Sequence, residues 1–398
     1  MEARHFYAIS MILFTEKISR LIFMKKILLA LLAVLPLAVS AQKISGSGYY
    51  RVQNLKSSRY FMLVDNRAWI TTNNTDLNLG AIKLVKGFEE KICWNPATIC
   101  YLDKQSEYKY NIIGMGLNMY NLVGSYMDFD YQTTGTYRNS YIISGTGKKG
   151  SISMSKTLYD SERRDTTAAL YTKGTDGYQY WYVRPVSGDY YFGVKPDFEA
   201  EMNGSKHYYT TMYASFPFRL GTNMKAYYIQ RIVGSYAIVK PLEYSVPGAV
   251  PVIVECAGAT PKDNKVDLQA STASVNTNLL QGVWFCNDTN DDHRNVTNFD
   301  GSTMRLLGQA ADGRLAFVKP ANQKYVPANK AYLQVPAGTP ATLYVITEEE
   351  LTGVQQIQAD TTPVRKGVYT LSGQRVGEST EGLSAGVYIV DGKKVVVK

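Results

Sequence analysis

Histidine is nearly missing from this chain: three residues in 398, one of them at position 5. Imidazole is the side chain that most readily carries a proton near neutral pH, so acid–base chemistry has little to build on. Charge is also sparse, at 19% of residues against an ordinary ~25%. No Lys/Arg run is interleaved with aromatics, which disfavours a nucleic-acid partner. Cysteine stops at four, Cys93, Cys100, Cys256 and Cys286. None forms a Cys-x-x-Cys pair and the histidines are remote, so no zinc site is expected. A G-x-S-x-G elbow, an H-E-x-x-H helix and a phosphate-binding glycine loop are all lacking. Asp288-Thr-Asn-Asp-Asp292 spaces oxygen ligands like a calcium loop, but His293 and Phe299 stand where glycine and an acid belong, so it reads as an Asx-rich turn. We therefore assign no catalytic residue, no metal and no cofactor. Carboxylate pairs meet only in the fold, and Asp197, Glu199 and Glu201 alternate past Pro196. Cys286 with His293 is a second pairing to watch. An enzyme of glycosidase or peptidase type stays open as the weakest alternative.

Beyond residue 41 there is no apolar run near the ~20 residues of a membrane helix. The start of the chain differs. Met24-Lys-Lys precedes an apolar stretch from Ile27 to Val39 and the small-residue site Val39-Ser-Ala41, the pattern of an export leader cut before Gln42. Residues 1–23 read as an upstream extension. The expected location is outside the inner membrane: cell surface, extracellular space or periplasm. The remaining chain holds 38 Lys/Arg against 32 Asp/Glu, net +6, with no transmembrane span. An even cysteine count in an exported chain permits two disulfides. Cys93–Cys100 would close a loop around Asn95-Pro96, and Cys256–Cys286 would join neighbouring strands. Four buried thiols fit equally well.

What the chain has in quantity is tyrosine, 31 residues. Short runs of Tyr, Val, Ile and Phe alternate with Gly, Asn, Asp and Ser clusters, so the fold is expected to be all-β. One helix is predicted over 77–92, from three- and four-residue apolar spacing. Residues 46–215 carry three similar hairpin phrases. These are Tyr49-Tyr-Arg-Val-Gln-Asn-Leu with Arg59-Tyr-Phe-Met-Leu-Val, Tyr108-Lys-Tyr-Asn-Ile-Ile-Gly with Asn118-Met-Tyr-Asn-Leu-Val, and Tyr180-Trp-Tyr-Val-Arg-Pro-Val with Asp189-Tyr-Tyr-Phe-Gly-Val. Three copies predict pseudo-threefold β architecture. The first phrase with Asp65-Asn66 resembles the opening of a ricin-type β-trefoil repeat, which implies a trefoil-like domain with insertions.

Residues 216–346 contain a different duplication. Val239-Lys-Pro and Val318-Lys-Pro lie 79 residues apart, and each precedes a Val-Pro turn, Val246-Pro and Val326-Pro. Strands broken by proline turns predict a duplicated antiparallel sandwich. The region is similar to tandem β modules of large surface proteins in Gram-negative anaerobes. Residues 347–366 read as a linker, opened by a short capped helix at Thr347-Glu-Glu-Glu. Strands return at Val368-Tyr-Thr-Leu-Ser-Gly-Gln-Arg-Val, Leu383-Ser-Ala-Gly-Val-Tyr-Ile-Val and Lys393–Lys398, with Asp391-Gly392 as a hairpin signal. This passage, 367–398, resembles the C-terminal sorting domain of type IX secretion, which implies the secretion machinery as a partner.

The densest aromatic cluster is Tyr178, Tyr180, Trp181, Tyr182, Tyr190, Tyr191 and Phe192. Aromatic faces stack on the apolar faces of sugar rings, while phenol and indole groups add hydrogen bonds. Strand alternation sends part of such a set to the core. The expectation is an exported, non-enzymatic binding protein that recognises a glycan or a host or bacterial surface component at Tyr178, Tyr180, Trp181, Tyr182, Tyr190 and Tyr191. The alternative is a structural or adhesive module that binds protein.

Overall fold

A computed structural model describes residues 43–65, 79–119, 127–149, 152–160, 168–171, 177–271, 273–285, 296–352, 367–371, 373–390 and 393–397. The leader, Cys286, His293, the Asp288–Asp292 turn, most of the linker and Asp391-Gly392 lie outside the described residues. Every described part is β-built, and none of its helices is long and apolar enough to cross a membrane.

The first sheet has eleven strands: β1 Gly48–Asn54, β2 Tyr60–Val64, β3 Leu79–Val85, β4 Cys100–Lys104, β5 Lys109–Gly114, β6 Leu117–Met119, β7 Met127–Tyr131, β8 Tyr141–Lys149, β9 Ile152–Asp160, β10 Ala168–Tyr171 and β11 Tyr180–Pro185. Six of them close a ring. β1 pairs β4, β4 pairs β5, β5 pairs β7, β7 pairs β8, β8 pairs β11, and β11 returns to β1. The other strands lie between ring strands in the sequence, as β2–β3, β6 and β9–β10. This is a six-stranded barrel with three inserted segments, the trefoil-like plan expected. Strand alternation fills it in layers: Val52, Ile112 and Ile143 are buried, and Tyr110 and Tyr141 sit two residues earlier on their strands with Tyr50 packed against them. The backbone N–H of Ile44 donates to the Tyr141 hydroxyl at 2.6 Å, which plugs that mouth.

Two expectations are corrected here. The third phrase is not a hairpin: β11 closes the barrel against β1, and the next strand pairs elsewhere. The third repeat opens instead at β8–β9. The helix predicted over 77–92 is absent. Residues 79–85 are β3, paired with β2 from Tyr60↔Val85 to Val64↔Ala81. Ile82 and Leu84 alternate into the core, so a period of two overrides the helical spacing. Only Phe88–Ile92 is helical, a single π turn begun at Gly87, φ 93°.

The second sheet and its two small satellites use β12 Phe192–Gly193, β13 Phe198–Met202, β14 Ser205–Met212, β15 Phe218–Arg219, β16 Lys225–Val233, β17 Tyr236–Leu242, β18 Ser245–Val246, β19 Val252–Cys256, β20 Lys265–Val266, β21 Leu280–Val283, β22 Met304–Gln309, β23 Leu315–Val318, β24 Lys330–Gln334 and β25 Thr342–Thr347. The main sheet runs β13-β14-β19-β16-β17-β25-β23-β22-β24-β21. The duplication is plain in that order: β14-β19-β16-β17 matches β21-β24-β22-β23. The halves join through the parallel pair β17–β25. They face each other across one core, in which Tyr209, Tyr227, Ile229 and Ile253 meet Phe317, Leu333 and Leu343. The result is sandwich-like, made from one curled sheet. Because β12, β13 and β14 belong on this side, the chain leaves the barrel between Pro185 and Phe192, not at 215.

After β25, Thr347 and Glu350 form a capping box. The Thr347 N–H donates to Glu350 Oε2 at 2.9 Å and the Glu350 N–H to Thr347 Oγ1 at 3.3 Å, which starts the short helix 348–352. The C-terminal sheet orders β27 Arg375–Gly377, β26 Val368–Thr370, β28 Gly386–Val390 and β29 Lys393–Val397. Val390 pairs with Lys393, the register of a two-residue hairpin.

Arg51, on β1, ties barrel to crossover. It is wholly buried. Its Nη1 donates to the carbonyls of Tyr190 and, at 2.7 Å, Tyr191; Nη2 donates to Ile92 at 3.2 Å and Cys93 at 3.4 Å; Nε donates to Thr98 Oγ1 at 3.3 Å. Burial pulls its pKa down to about 10, so it is charged at neutral pH. Arg51→Met removes the donors of the Tyr190 and Tyr191 carbonyls, and we expect about 3–5 kcal/mol lost in urea unfolding followed by tryptophan fluorescence. Arg51→Lys keeps the charge without the planar fork and should recover less than half. A loss under about 1 kcal/mol for Arg51→Met would show that the staple is dispensable.

Candidate functional site

The sequence-predicted tyrosine cluster is largely occupied with itself. Trp181 has no exposed surface. It meets Phe61 edge-on at 4.9 Å and donates its indole N–H to the Leu158 carbonyl at 3.0 Å. Tyr191 is buried too, and its hydroxyl donates to Glu89 Oε2 at 2.6 Å. Trp181 and Tyr191 are thus core residues and leave the predicted platform. Tyr178, Tyr180, Tyr182 and Tyr190 are half-buried. Tyr180 stacks on Tyr137 at 4.0 Å, and Tyr178 leans on Tyr159. The Arg184 guanidinium lies 4.3 Å from the Tyr182 ring centre and 4.4 Å from that of Tyr190. Tyr180, Tyr182 and Tyr190 thus each place one face against a neighbour in the same chain.

A cleft of about 390 Å³ lies nearby, where the barrel meets the second sheet. Four remote segments build it. Trp94, Asn95 and Pro96 come from the barrel loop before β4. Phe192, Val194, Lys195 and Asp197 come from the crossover. Thr210, Thr211 and Met212 end β14, and Pro327 to Lys330 form the turn into β24. The loop is held locally: Asn95 Oδ1 accepts the Ala97 N–H at 2.9 Å, and Pro96 opens a 3-10 turn. Loop and crossover are then clamped together, because the Gly193 N–H donates to the Cys93 carbonyl at 3.0 Å. Gly193 has to be glycine, since a β carbon would lie 1.9 Å from the Pro261 carbonyl oxygen.

Phe192, Val194 and Met212 give the cleft an apolar floor. Trp94 forms one wall, its N–H turned away to the Glu90 carbonyl at 3.0 Å and Lys195 Nζ 4.4 Å from its ring centre. Opposite, Lys330 Nζ donates to both Asp197 oxygens at 2.8 and 2.7 Å, and Thr210 Oγ1 donates to Asp197 Oδ2 at 2.7 Å. Asn329 takes a left-handed φ of 59° and donates to the Tyr213 carbonyl at 3.3 Å. Asp197 is the cleft's single carboxylate, and it is tied to a lysine. Glu199 is exposed on β13. The lining therefore supplies no pair of facing carboxylates for glycoside hydrolysis. It does offer an apolar floor, an indole wall and convergent donors and acceptors, which is what a small polar ligand needs.

Of these residues the sequence pointed only to Asp197, as part of an acidic alternation, and to Phe192 at the edge of the aromatic cluster. Asn95-Pro96 and Val326-Pro327 were visible as turns, with nothing to show that they meet. No protein-family model matches the chain and no curated protein is similar to it in sequence.

The proposed Cys93–Cys100 bridge is not formed. Cys93, Cys100 and Cys256 are free and buried. Cys93 faces Glu89, whereas Cys100 turns into the barrel, its thiol 3.4 Å from the Tyr50 carbonyl. The loop between them is closed by Asn95 and by Thr98, whose hydroxyl reaches the Ile92 carbonyl at 3.0 Å. Burial raises all three thiol pKa values, those of Cys100 and Cys256 to about 12, so these two stay protonated at pH 8.5. Iodoacetamide at that pH should leave Cys100 and Cys256 unmodified in the native protein and alkylate both in urea, read by peptide mass. Rapid native alkylation of either would contradict the buried assignment.

Proposed function

We propose that this chain is an exported, non-enzymatic binding protein that seats a saccharide in the cleft between its barrel and its second sheet. One observation carries the reading: Trp94, the apolar floor and the Lys195, Asp197, Asn329 and Lys330 groups converge from four segments on one open cleft. A pyranose presents an apolar face and a rim of hydroxyls, and this lining complements both. The lack of a second carboxylate and of any histidine in the lining supports binding without a covalent step. The leader-like start supports export. In this reading the C-terminal sheet is the part that the secretion machinery handles, which its likeness to type IX sorting domains supports.

Purified residues 42–398 on a glycan array, followed by calorimetry on the best ligand, test the idea. Trp94→Ala should weaken binding about tenfold or more, and Lys330→Met by a similar factor. A ligand whose affinity ignores both substitutions, or silence across mucin, plant and microbial glycans, would overturn it.

A further inference from the structure

We propose a second binding site, for a neutral saccharide, in the groove beside Tyr244. It rests on residues that the junction cleft does not share. Tyr244 is 79% exposed, and its backbone is left-handed, φ 61°. That conformation is costly for a bulky side chain and persists only where the surroundings impose it. They do so here. The Leu220 N–H donates to the Tyr244 carbonyl at 2.8 Å, the Ser245 N–H donates to Glu243 at 2.7 Å, and β15 pairs with β18 from Phe218↔Val246 to Arg219↔Ser245. The fold thus spends hydrogen bonds to hold an aromatic ring out in water.

The ring stands at a groove of about 620 Å³ whose lining includes Arg219, Thr222, Asn223, Pro241 and Asp267. Asn223 is left-handed as well, φ 61°. Each charged group that lines the groove is paired, Lys225 with a buried acid outside the lining. Arg219 Nη2 lies 2.8 Å from Asp267 Oδ2, and Lys225 Nζ lies 3.0 Å from Glu255 Oε1. A neutral ligand leaves both pairs intact. The exposed Arg219–Asp267 pair still presents free N–H donors beside free carboxylate lone pairs, an arrangement that fits two adjacent hydroxyls. The Tyr244 ring supplies the apolar face against which a pyranose stacks. Leu220, Met224, Pro241 and Leu242 add apolar lining beside these polar groups, the mixture that a sugar's apolar face and hydroxyl rim call for.

The test uses residues 42–398 with cellohexaose, mannohexaose and maltohexaose, read by calorimetry and by the Tyr244 ring signals in NMR. At least one neutral oligosaccharide should bind. Tyr244→Ala should weaken binding about tenfold or more when it is read at the Thr222 and Asn223 amide signals, which report this groove and not the junction cleft. Tyr244→Gly separates function from structure: it should abolish binding while holding or raising the melting temperature, because glycine accepts the left-handed backbone freely. The proposal is overturned if none of the three sugars binds, if Tyr244→Ala leaves affinity unchanged, if Tyr244→Gly lowers the melting temperature, or if an oligouronate binds as tightly as the neutral sugars. A result in which Trp94 matters and Tyr244 does not would defeat this site while sparing the junction cleft.

Discussion

The molecule turns on one buried cation. Arg51 sits inside the protein with carbonyls and a threonine hydroxyl as its hydrogen-bond partners. An ionised group taken from water needs its donors satisfied, and a planar fork of five N–H groups can meet several carbonyls at once where an ammonium cannot. The partners lie on three stretches: Ile92 and Cys93 before the Trp94 loop, Thr98 after it, and Tyr190 and Tyr191 in the crossover just ahead of Phe192. The two walls of the junction cleft are therefore extensions of segments that Arg51 already holds together. The Gly193-to-Cys93 hydrogen bond repeats the tie one step closer to the cleft. A site assembled from loops would ordinarily lose entropy on binding, and this staple has removed much of that freedom in advance.

Tyrosine abundance has a structural explanation that comes before any ligand. Tyr50, Tyr110 and Tyr141 occupy equivalent places on β1, β5 and β8 and close one mouth of the barrel around Ile44. In the second sheet, Tyr209 and Tyr227 direct their hydroxyls at the buried Glu255 carboxylate, at 3.4 and 2.9 Å. Tyrosine suits both tasks because it buries a large ring while its hydroxyl still finds a partner. Aromatic density along the sequence thus reported packing in most places. Exposure and backbone conformation, which no composition shows, single out Tyr244.

Periodicity carried the all-β class, and internal repetition carried the architecture. The 79-residue offset of the Val-Lys-Pro triplets reappears between the starts of β16 at Lys225 and β22 at Met304, and again between β17 at Tyr236 and β23 at Leu315. The first two hairpin phrases fall on β1–β2 and β5–β6. The third failed because β11 resembles an opening strand in composition while its partner β1 lies more than a hundred residues away, a pairing that local pattern cannot contain. The helix over 77–92 failed for a related reason: Leu84 belongs to the helical series Leu77, Ala81, Leu84, Phe88 and Ile92 and equally to the strand alternation of Ile82 and Leu84, and β2 decided between them. The cleft was illegible because Trp94, Asp197, Thr210 and Lys330 meet only through the crossover, whose start the sequence placed about 25 residues too late.

Symmetry bears on how many ligands such a chain can hold. A barrel of three similar repeats would offer three equivalent sites, and a duplicated sheet two. The junction cleft uses neither symmetry. Its tryptophan lies in the first repeat, and the other three, Trp69, Trp181 and Trp284, do not supply counterparts in the second and third. Its crossover wall occurs once by construction. The Tyr244 groove has no counterpart either, since the Val246-Pro and Val326-Pro turns, 80 residues apart, align position 244 with Lys324, a residue without a ring. Both candidate sites therefore arise where repetition has been broken, by a connecting segment in one case and by a single aromatic in the other. Repeated positions such as Tyr50, Tyr110 and Tyr141 serve packing, and the two candidate sites draw on residues that are not repeated.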